Sequence, residues 1–253
     1  MNEYIKRLRV FAGPNGSGKS TLYNYLTQIN AFNSYYHINP DLIAKDLAVS
    51  LNLFNWPIDF SFSELVSFLE KSPFRDIAGY NIAEAITYNE HGISLNDIAG
   101  NISYLAVAIA DFLRNKMLQS TSSFSFESVF SHASKIKELE NAKKENFRIY
   151  LYFITTSDPL INLQRVKNRA KSGGHDVPAK KIITRYSRTM NNLYNSFMLA
   201  DRAYFFDNSK EKAAGSFDFF AEKNGDKLFI YNSDSVPQWF EENIIKPLVT
   251  KKQ

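Results

Sequence analysis

The chain has 253 residues, 44% of them apolar and 22% charged, enough for a full buried core in one domain or in one domain with an insertion. Lysine and arginine number 30 against 26 acidic residues, a net charge of +4 that suits an anionic substrate but does not demand nucleic acid. The absence of cysteine excludes disulfides, thiolate metal sites and a cysteine nucleophile, and fits a reducing compartment.

Met1 to Arg9 carries charge and no apolar h-region, so it does not read as a signal peptide. No apolar run approaches the roughly 18 residues of a membrane span, and the expected location is cytoplasmic. The first element is an apolar run, Leu8 to Ala12, read as a strand. It leads into Gly13-Pro14-Asn15-Gly16-Ser17-Gly18-Lys19-Ser20-Thr21, which fits G-x-x-x-x-G-K-[ST] in full. Leu22, Tyr25, Leu26 and Ile29 then recur at helical spacing. Strand, glycine loop and helix in this order form a P-loop, whose backbone N–H groups and helix N-terminus cradle phosphate oxygens. Lys19 is expected on the β- and γ-phosphates of ATP or GTP, and Ser20 on Mg²⁺.

Tyr35 to Ile38 reads as a second strand. Asn39 is a good helix cap and Pro40 suits a first helical position, which places Asp41 in a first turn at the carboxyl end of a strand. Ligands bind open α/β sheets at that edge. Asp41 is therefore a candidate general base for an acceptor hydroxyl, against the plainer role of an acid favoured by the helix dipole. Residues 51 to about 100 change character. Short amphipathic pieces, with helices read over Ser63 to Leu69 and Ile82 to Tyr88, suggest a helical insertion that walls a substrate pocket or pads a surface.

Ile102 to Leu118 is a strong helix with Leu105, Ile109, Phe112 and Leu113 on one face. A third strand, Ser122 to Phe126, ends at Glu127, a candidate for holding substrate hydroxyls or a metal-bound water. Ser128 and His132 follow as substrate-contact candidates, and Ser131 as a helix cap. A helix runs over Ser131 to Asn146, and Arg148 to Thr155 is the near-continuous apolar run of a buried parallel strand. Ser157-Asp158-Pro159 opens the next helix. Arg165, Lys167, Arg169, Lys171, Lys180, Lys181, Arg185 and Arg188 flank Gly173-Gly174, a glycine-hinged basic segment that reads as a lid over about 165–188. Arg169 and Arg185 are the arginines chosen to meet transferring phosphate. His175 and Asp176 are too few for a metal site. A polar helix, Ala179 to Leu199, precedes a fifth strand, Ala203 to Phe206, and Asp207-Asn208-Ser209. Asn208 there is a candidate nucleotide contact. The extension over about 211–253 reads as a hairpin through Asn224-Gly225 and a last helix, Gln238 to Leu248. The expected fold is a three-layer α/β P-loop sandwich with a mainly parallel five-stranded core, treated as a single domain.

Several segments together carry a family resemblance. They are Phe11 to Thr21, Ile38-Asn-Pro-Asp-Leu-Ile-Ala44, Phe124-Ser-Phe-Glu-Ser-Val-Phe-Ser-His132, Arg165-Val-Lys-Asn-Arg169, Gly173-Gly-His-Asp-Val-Pro178 with Arg185-Tyr186, and Asp207-Asn-Ser209. In this order they resemble the zeta-toxin-like P-loop kinases, many of which carry the label of predicted ABC-type ATPases. The ABC label fits poorly, because no LSGGQ stretch exists and no apolar strand ends in Asp-Glu. The resemblance implies transfer of a phosphoryl group from ATP or GTP to the 3′-hydroxyl of a UDP-N-acetyl sugar. It implies Lys19 on the phosphates, Asp41 as base, Glu127 near the sugar nucleotide, Arg169 and Arg185 on the transferring phosphate, and an antitoxin protein as partner. Val129 stands where zeta toxins commonly carry threonine. Two other functions stay open at this point: a kinase of nucleic-acid 5′-ends, and a nucleotide-dependent switch or toxin module acting through a protein partner. Lys19→Ala is expected to abolish phosphoryl transfer. Asp41→Asn is expected to spare nucleotide binding but slow transfer by at least about 10²-fold, the scale of a general base. Equal transfer rates for Asp41→Asn and wild type would remove Asp41 from the mechanism.

Overall fold

The computed structural model describes residues 5–33, 36–75, 77–97, 99–172, 177–210, 217–231 and 236–250. The Gly173-Gly174 hinge and the His175–Asp176 pair lie outside them, as does Tyr35. The chain divides into two compact units, one made of Met1–Ser34 with Ser125–Gln253, the other of Tyr35–Phe124. The second unit is wider than the insertion expected over 51–100. It also takes in the residues of the expected second strand and of the two helices on either side.

In chain order the first elements are β1 (Arg7–Ala12) and α1 (Lys19–Gln28). Then come β2 (His37–Ile38), α2 (Pro40–Leu47), α3 (Phe62–Glu70), β3 (Ile86–Asn89), β4 (Gly92–Leu95) and α4 (Ser103–Gln119). They are followed by β5 (Phe124–Ser128), α5 (Ser134–Lys144), β6 (Arg148–Thr155), α6 (Pro159–Lys171), α7 (Ala179–Leu199) and β7 (Arg202–Asp207). Last are β8 (Asp218–Asn224), β9 (Lys227–Ile230), α8 (Gln238–Phe240), a π-helical turn over Glu241–Ile245, and α9 (Lys246–Thr250).

In the first unit the strands lie in the order β5-β1-β6-β7-β8-β9. β1 runs parallel to β6 with Val10 opposite Leu151, and β6 runs parallel to β7 with Leu151 opposite Ala203. These strands are apolar at nearly every central position because helices cover both faces. On one face Phe11, Tyr152, Ile154 and Phe206 bury against Leu22 of α1. The Phe11 and Tyr152 rings stack there at 4.7 Å. On the other face Phe205 meets Phe197 of α7 at 6.0 Å and Phe240 of α8 at 4.8 Å. The result is the expected three layers. β8 and β9 add an antiparallel hairpin at the sheet's end, with Asn224 opposite Lys227 and Gly225-Asp226 between them. Gly225 takes φ +59°, which glycine adopts at no steric cost.

The second unit is built on α4, whose Leu105, Ile109 and Leu113 are fully buried. α2 and α3 pack against it. Phe112 meets Phe60 and Phe68 edge-on at 5.4 Å each, and Lys116 pairs with Glu64 at 2.6 Å. One expectation is corrected here. Ile82 to Tyr88 is not a helix, because Ile86–Asn89 pairs antiparallel with Gly92–Leu95, Ile86 opposite Leu95. Apolar residues at 82, 83, 85 and 86 suit either period, and the Glu90-His91-Gly92 turn, with Gly92 at φ +124°, decides for a hairpin. Among the described residues no helix is long and apolar enough to cross a membrane.

The C-terminus of α7 shows how the hairpin and the layer beneath it lock together. The buried Lys223 of β8 donates from Nζ to the carbonyls of Phe197 at 2.7 Å, Met198 at 3.2 Å and Ala200 at 2.7 Å. It satisfies the orphan carbonyls of a helix end with a cation that the helix dipole also favours. Burial lowers the Lys223 pKa, and the nearby Asp201 carboxylate offsets part of that shift. Lys223→Met is expected to lower unfolding free energy by roughly 2–3 kcal/mol, since it strips carbonyls of a charged donor inside the fold. Urea unfolding of the two proteins checks this.

Candidate nucleotide site

The P-loop forms where the sequence places it, between β1 and α1. Gly13 takes φ +153°, and a Cβ there would lie 2.0 Å from the Ile154 carbonyl oxygen of β6. Gly16 takes φ +74°, and a Cβ there would lie 2.7 Å from the Asn162 carbonyl oxygen of α6. Both positions need glycine for conformation and for space, because the loop is pressed against neighbouring backbone. Pro14 is buried, and its carbonyl accepts from the Ser17 N–H at 3.3 Å. Lys19 Nζ sits inside the loop and donates to the carbonyls of Gly13 and Pro14 at 2.9 Å each. Gly18 caps α1 in the left-handed region, and Thr21 is exposed in the first turn.

Two side-chain amides hold the loop from outside. Asn162, fully buried on α6, donates from Nδ2 to the Asn15 carbonyl at 2.7 Å and accepts at Oδ1 from the Thr156 hydroxyl. Asn208 donates from Nδ2 to the Ser17 carbonyl at 2.8 Å, while its N–H donates to Thr155 at 2.8 Å. The structure therefore brings Asn208 to the P-loop as a brace. Asp207 next to it accepts from Trp239 Nε1 at 2.7 Å and from the Ser209 N–H at 2.9 Å, which is strand-end capping. Asn162 was not singled out in the sequence. The only signal was its position one turn after the Asp158 cap, which itself accepts from the Leu160 N–H at 2.8 Å.

Ser20 and Glu127 also come together. Ser20 Oγ donates to Glu127 Oε2 at 2.6 Å. Ser20 is exposed and Glu127 is buried at the end of β5. The Ser128 carbonyl accepts from the Gly13 N–H at 3.3 Å, and Ser128 Oγ accepts from the Phe130 N–H at 3.0 Å. Ser128 thus stabilises the turn after β5. His132 Nδ1 lies 2.8 Å from Ser134 Oγ and accepts from the Ser134 N–H at 3.2 Å, at the start of α5. The cap expected from Ser131 is not formed. The helix starts at Ser134, and its cap position, Ala133, has no side-chain oxygen to offer.

Two polar atoms of the loop, Asn15 Oδ1 and Ser17 Oγ, are buried without a partner among the described residues, and Arg165 Nη1 on α6 is buried likewise. Buried polar atoms are ordinarily paired, so the two in the loop are open to a water or a ligand. Arg165 lies three residues after Asn162, on the same side of α6, and its neighbour Val166 would touch a Cβ on Gly16. Arg169 lies a further turn along α6 and is exposed. Arg185 is half-buried on α7, where its carbonyl accepts from the Thr189 hydroxyl at 2.7 Å. Of the basic residues on α6, Arg165 is the one that is not exposed. Asp41 belongs to the second unit. There it sits in the first turn of α2, its N–H donating to the Oδ1 of the Asn39 cap at 2.8 Å, with Pro40 at the first helical position as expected. Among the described residues no group of three or more histidine, aspartate or glutamate side chains is placed to hold a metal ion.

No family profile matches the chain. A stretch of 63 residues, 25% of the chain, is 38% identical to an uncharacterized protein of Haemophilus influenzae and covers 45% of it. Among solved structures, the chain resembles the AvrRxo1-ORF1:ORF2 complex with ATP, with a TM-score of 0.54 at 15% identity over 96% of this chain and 64% of that one. The same complex with sulphate ions gives a TM-score of 0.53 over the same shares. A structure of the PezAT chromosomal toxin-antitoxin system of Streptococcus pneumoniae gives 0.50 at 11% identity, over 100% of this chain and 87% of that one. The chain therefore spans less than two thirds of the AvrRxo1 chain and under half of the Haemophilus protein in the matched region. These likenesses establish a shared fold: an α/β sandwich with a mostly parallel central sheet.

Asn162→Ala would leave the Asn15 carbonyl without its amide donor, while the Thr156 hydroxyl would keep only the Asp158 carbonyl at 3.0 Å. It is expected to cost roughly 1–3 kcal/mol of stability. Chemical unfolding of the variant beside wild type checks this.

Proposed function

We propose that the chain is a zeta-toxin-like kinase that transfers the γ-phosphoryl group of ATP or GTP to a hydroxyl of a small anionic substrate. The observation that carries this reading is the P-loop, complete in sequence, braced by Asn162 and Asn208 and lined by buried polar atoms that lack protein partners. Such a loop presents N–H groups to phosphate oxygens. The shared fold with structures that include an ATP complex supports it.

The roles follow from charge and reach. Lys19 leaves its loop carbonyls to meet the phosphates, while the Asn15 and Ser17 side chains complete the lining. The attacking oxygen of the acceptor forms a bond to the γ-phosphorus as the bridging oxygen–phosphorus bond breaks and the nucleoside diphosphate departs. Asp41 takes the acceptor's proton, the role the family resemblance gives it. Guanidinium groups stabilise the charge spread over the transferring oxygens, and Arg165 joins Arg169 and Arg185 as a candidate because it follows Asn162 by one turn of α6 and its Nη1 is buried without a partner among the described residues. The exposed Ser20 hydroxyl, backed by the Glu127 carboxylate, fits Mg²⁺ in its hard oxygen chemistry. When bound, Mg²⁺ neutralises charge on the nucleotide phosphates. A UDP-N-acetyl sugar is the acceptor proposed first, and an antitoxin-like protein is the partner proposed, in keeping with the toxin-antitoxin naming of PezAT.

The test incubates the protein with ATP, Mg²⁺ and a pool of UDP-sugars, nucleosides and short oligonucleotides, beside the Asp41→Asn variant, with mass spectrometry as readout. One added phosphate on a UDP-sugar, absent with Asp41→Asn, is the expected result. Phosphate appearing on an oligonucleotide alone would move the activity to nucleic-acid ends, and failure of wild type to bind ATP would overturn the kinase reading. In the same assay Arg165→Ala is expected to lower turnover by about 10²–10³-fold, the scale of a lost charge-stabilising donor.

A further inference from the structure

We propose that one face of the first unit's sheet, running from the start of β1 across to β9, is a docking platform for single-stranded nucleic acid, separate from the P-loop.

Strand pairing lines the side chains of this face up in rows. Arg7 stands opposite Arg148. In the next row Arg9 is opposite Tyr150, Tyr150 opposite Arg202, Arg202 opposite Asn224, and Asn224 opposite Lys227. In the row after, Tyr152 is opposite Tyr204, Tyr204 opposite Glu222, and Glu222 opposite Phe229. Phe11, Tyr152 and Phe206 bury against Leu22 of α1, which fixes the side on which these alternate positions lie.

The face is cationic at the amino ends of the parallel strands. Arg7, Arg9, Arg148, Arg202 and Lys227 share it with one acid, Glu222, and the Tyr231 phenol is hydrogen-bonded to that carboxylate. Arg148 and Lys227 are exposed. Arg202 donates from Nε to Asn224 Oδ1 and from Nη1 to the Tyr204 hydroxyl, both at 3.3 Å. A guanidinium has five N–H donors, so donors remain for a phosphate oxygen. Arg9 is held over the Phe32 ring at 4.8 Å and the Tyr150 ring at 5.5 Å. β1 runs from Arg7 to the P-loop, roughly 20 Å at 3.3 Å per residue, so these cations are remote from the phosphate cradle.

Beyond α1 the rings of the same face reach the surface. Phe219 is 42% exposed, Phe229 42% and Tyr231 59%. Phe219 lies 5.3 Å from Tyr231 and 6.3 Å from Tyr204. The Tyr231 N–H donates to the Phe220 carbonyl at 2.8 Å, which carries the pairing past β9 and holds that ring on the sheet. Clustered exposed rings mark a contact surface. The cations choose its partner. A second copy would set the same cations against these, like against like. An acidic peptide would match the cations and leave the rings unmet. A single strand supplies both, a phosphate at each nucleotide and a base whose π face stacks on an exposed ring.

The test measures binding of a fluorescein-labelled oligo(dT) decamer to the whole chain by anisotropy, between 50 and 200 mM salt, with and without excess ATP and Mg²⁺. Wild type is expected to bind at low salt equally well in both conditions. Log affinity is expected to fall with log salt at a slope of about −2, that of about three phosphate contacts on a single strand. Phe229→Ala is expected to weaken binding about 5- to 100-fold with the slope unchanged, the scale of one lost stacking ring. Arg148→Gln is expected to weaken binding and to flatten the slope by about 0.7, one phosphate contact. Circular dichroism checks that each variant folds, and if Phe229→Ala does not, Tyr231→Ala takes its place. Absence of binding at low salt would overturn the inference, and so would competition by ATP, which would move the oligonucleotide to the P-loop. Full affinity in the ring variants would overturn it as well, leaving only unspecific attraction to cations. A wild-type dimer in sedimentation that Phe229→Ala splits, with no oligonucleotide bound, would overturn it in favour of self-association. None of these readouts uses phosphoryl transfer, so the inference and the kinase reading fail separately.

Discussion

A P-loop is a backbone device, and its use depends on carbonyls being turned away so that N–H groups face the ligand. In this chain two asparagine amides impose that orientation, Asn162 on the Asn15 carbonyl and Asn208 on the Ser17 carbonyl. Each is itself tied to β6 or the residue just beyond it, Asn162 through the Thr156 hydroxyl and Asn208 through the Thr155 carbonyl. The glycines fit this arrangement because the loop lies against carbonyl oxygens of Ile154 and Asn162 that leave no room for a side chain. The cost of fixing so many dihedrals is met by packing outside the loop, where Phe11, Leu22 and Ile154 are fully buried.

The same end of β6 links the loop to α7. The Tyr186 phenol donates to the Thr156 carbonyl at 2.6 Å, next to the hydroxyl that orients Asn162. Burial raises the Tyr186 pKa above its ordinary value, so the phenol stays a donor across the physiological range. Farther along α7, Thr189 and Asn192 reach the turn after Glu127. One helix thus restrains both the strand end beneath the P-loop and the strand end carrying its carboxylate.

The sandwich was legible because its strands are buried on both faces. Arg148 to Thr155 has nearly one pattern only, and the caps at Asn39 and Asp158 announce helix starts by local chemistry that tertiary packing does not override. The P-loop was legible for the same reason, since its glycines answer a local steric demand. What was not legible depends on contacts far apart in sequence. The Ile82 to Tyr88 stretch offers apolar residues to either period, and only pairing with Ile93 chooses the strand. Asn162 resembles any polar helix residue until the P-loop is packed on it. Ser131 looks like a cap because serine caps helices, but the chain turns at Phe130 with positive φ and delays the helix by three residues. Among the arginines, exposure on α6 separates Arg165 from Arg169, and charge alone gave no means of ranking them.

Under the proposed kinase reading, Val129 bears on the acceptor. Where the resembling kinases commonly carry a threonine hydroxyl, this chain has an apolar side chain, and the Val129 carbonyl is committed to Thr189. With Ser128 Oγ committed to Phe130 and Glu127 Oε2 to Ser20, the turn after β5 spends its polar groups on its own geometry and on the P-loop. Buried polar contacts are what let a site reject an analogue lacking the matching group, whereas an apolar wall discriminates weakly. An acceptor read through this turn would meet mostly groups already paired. Under the proposed kinase reading, selectivity for a particular hydroxyl must then come from residues beyond this turn.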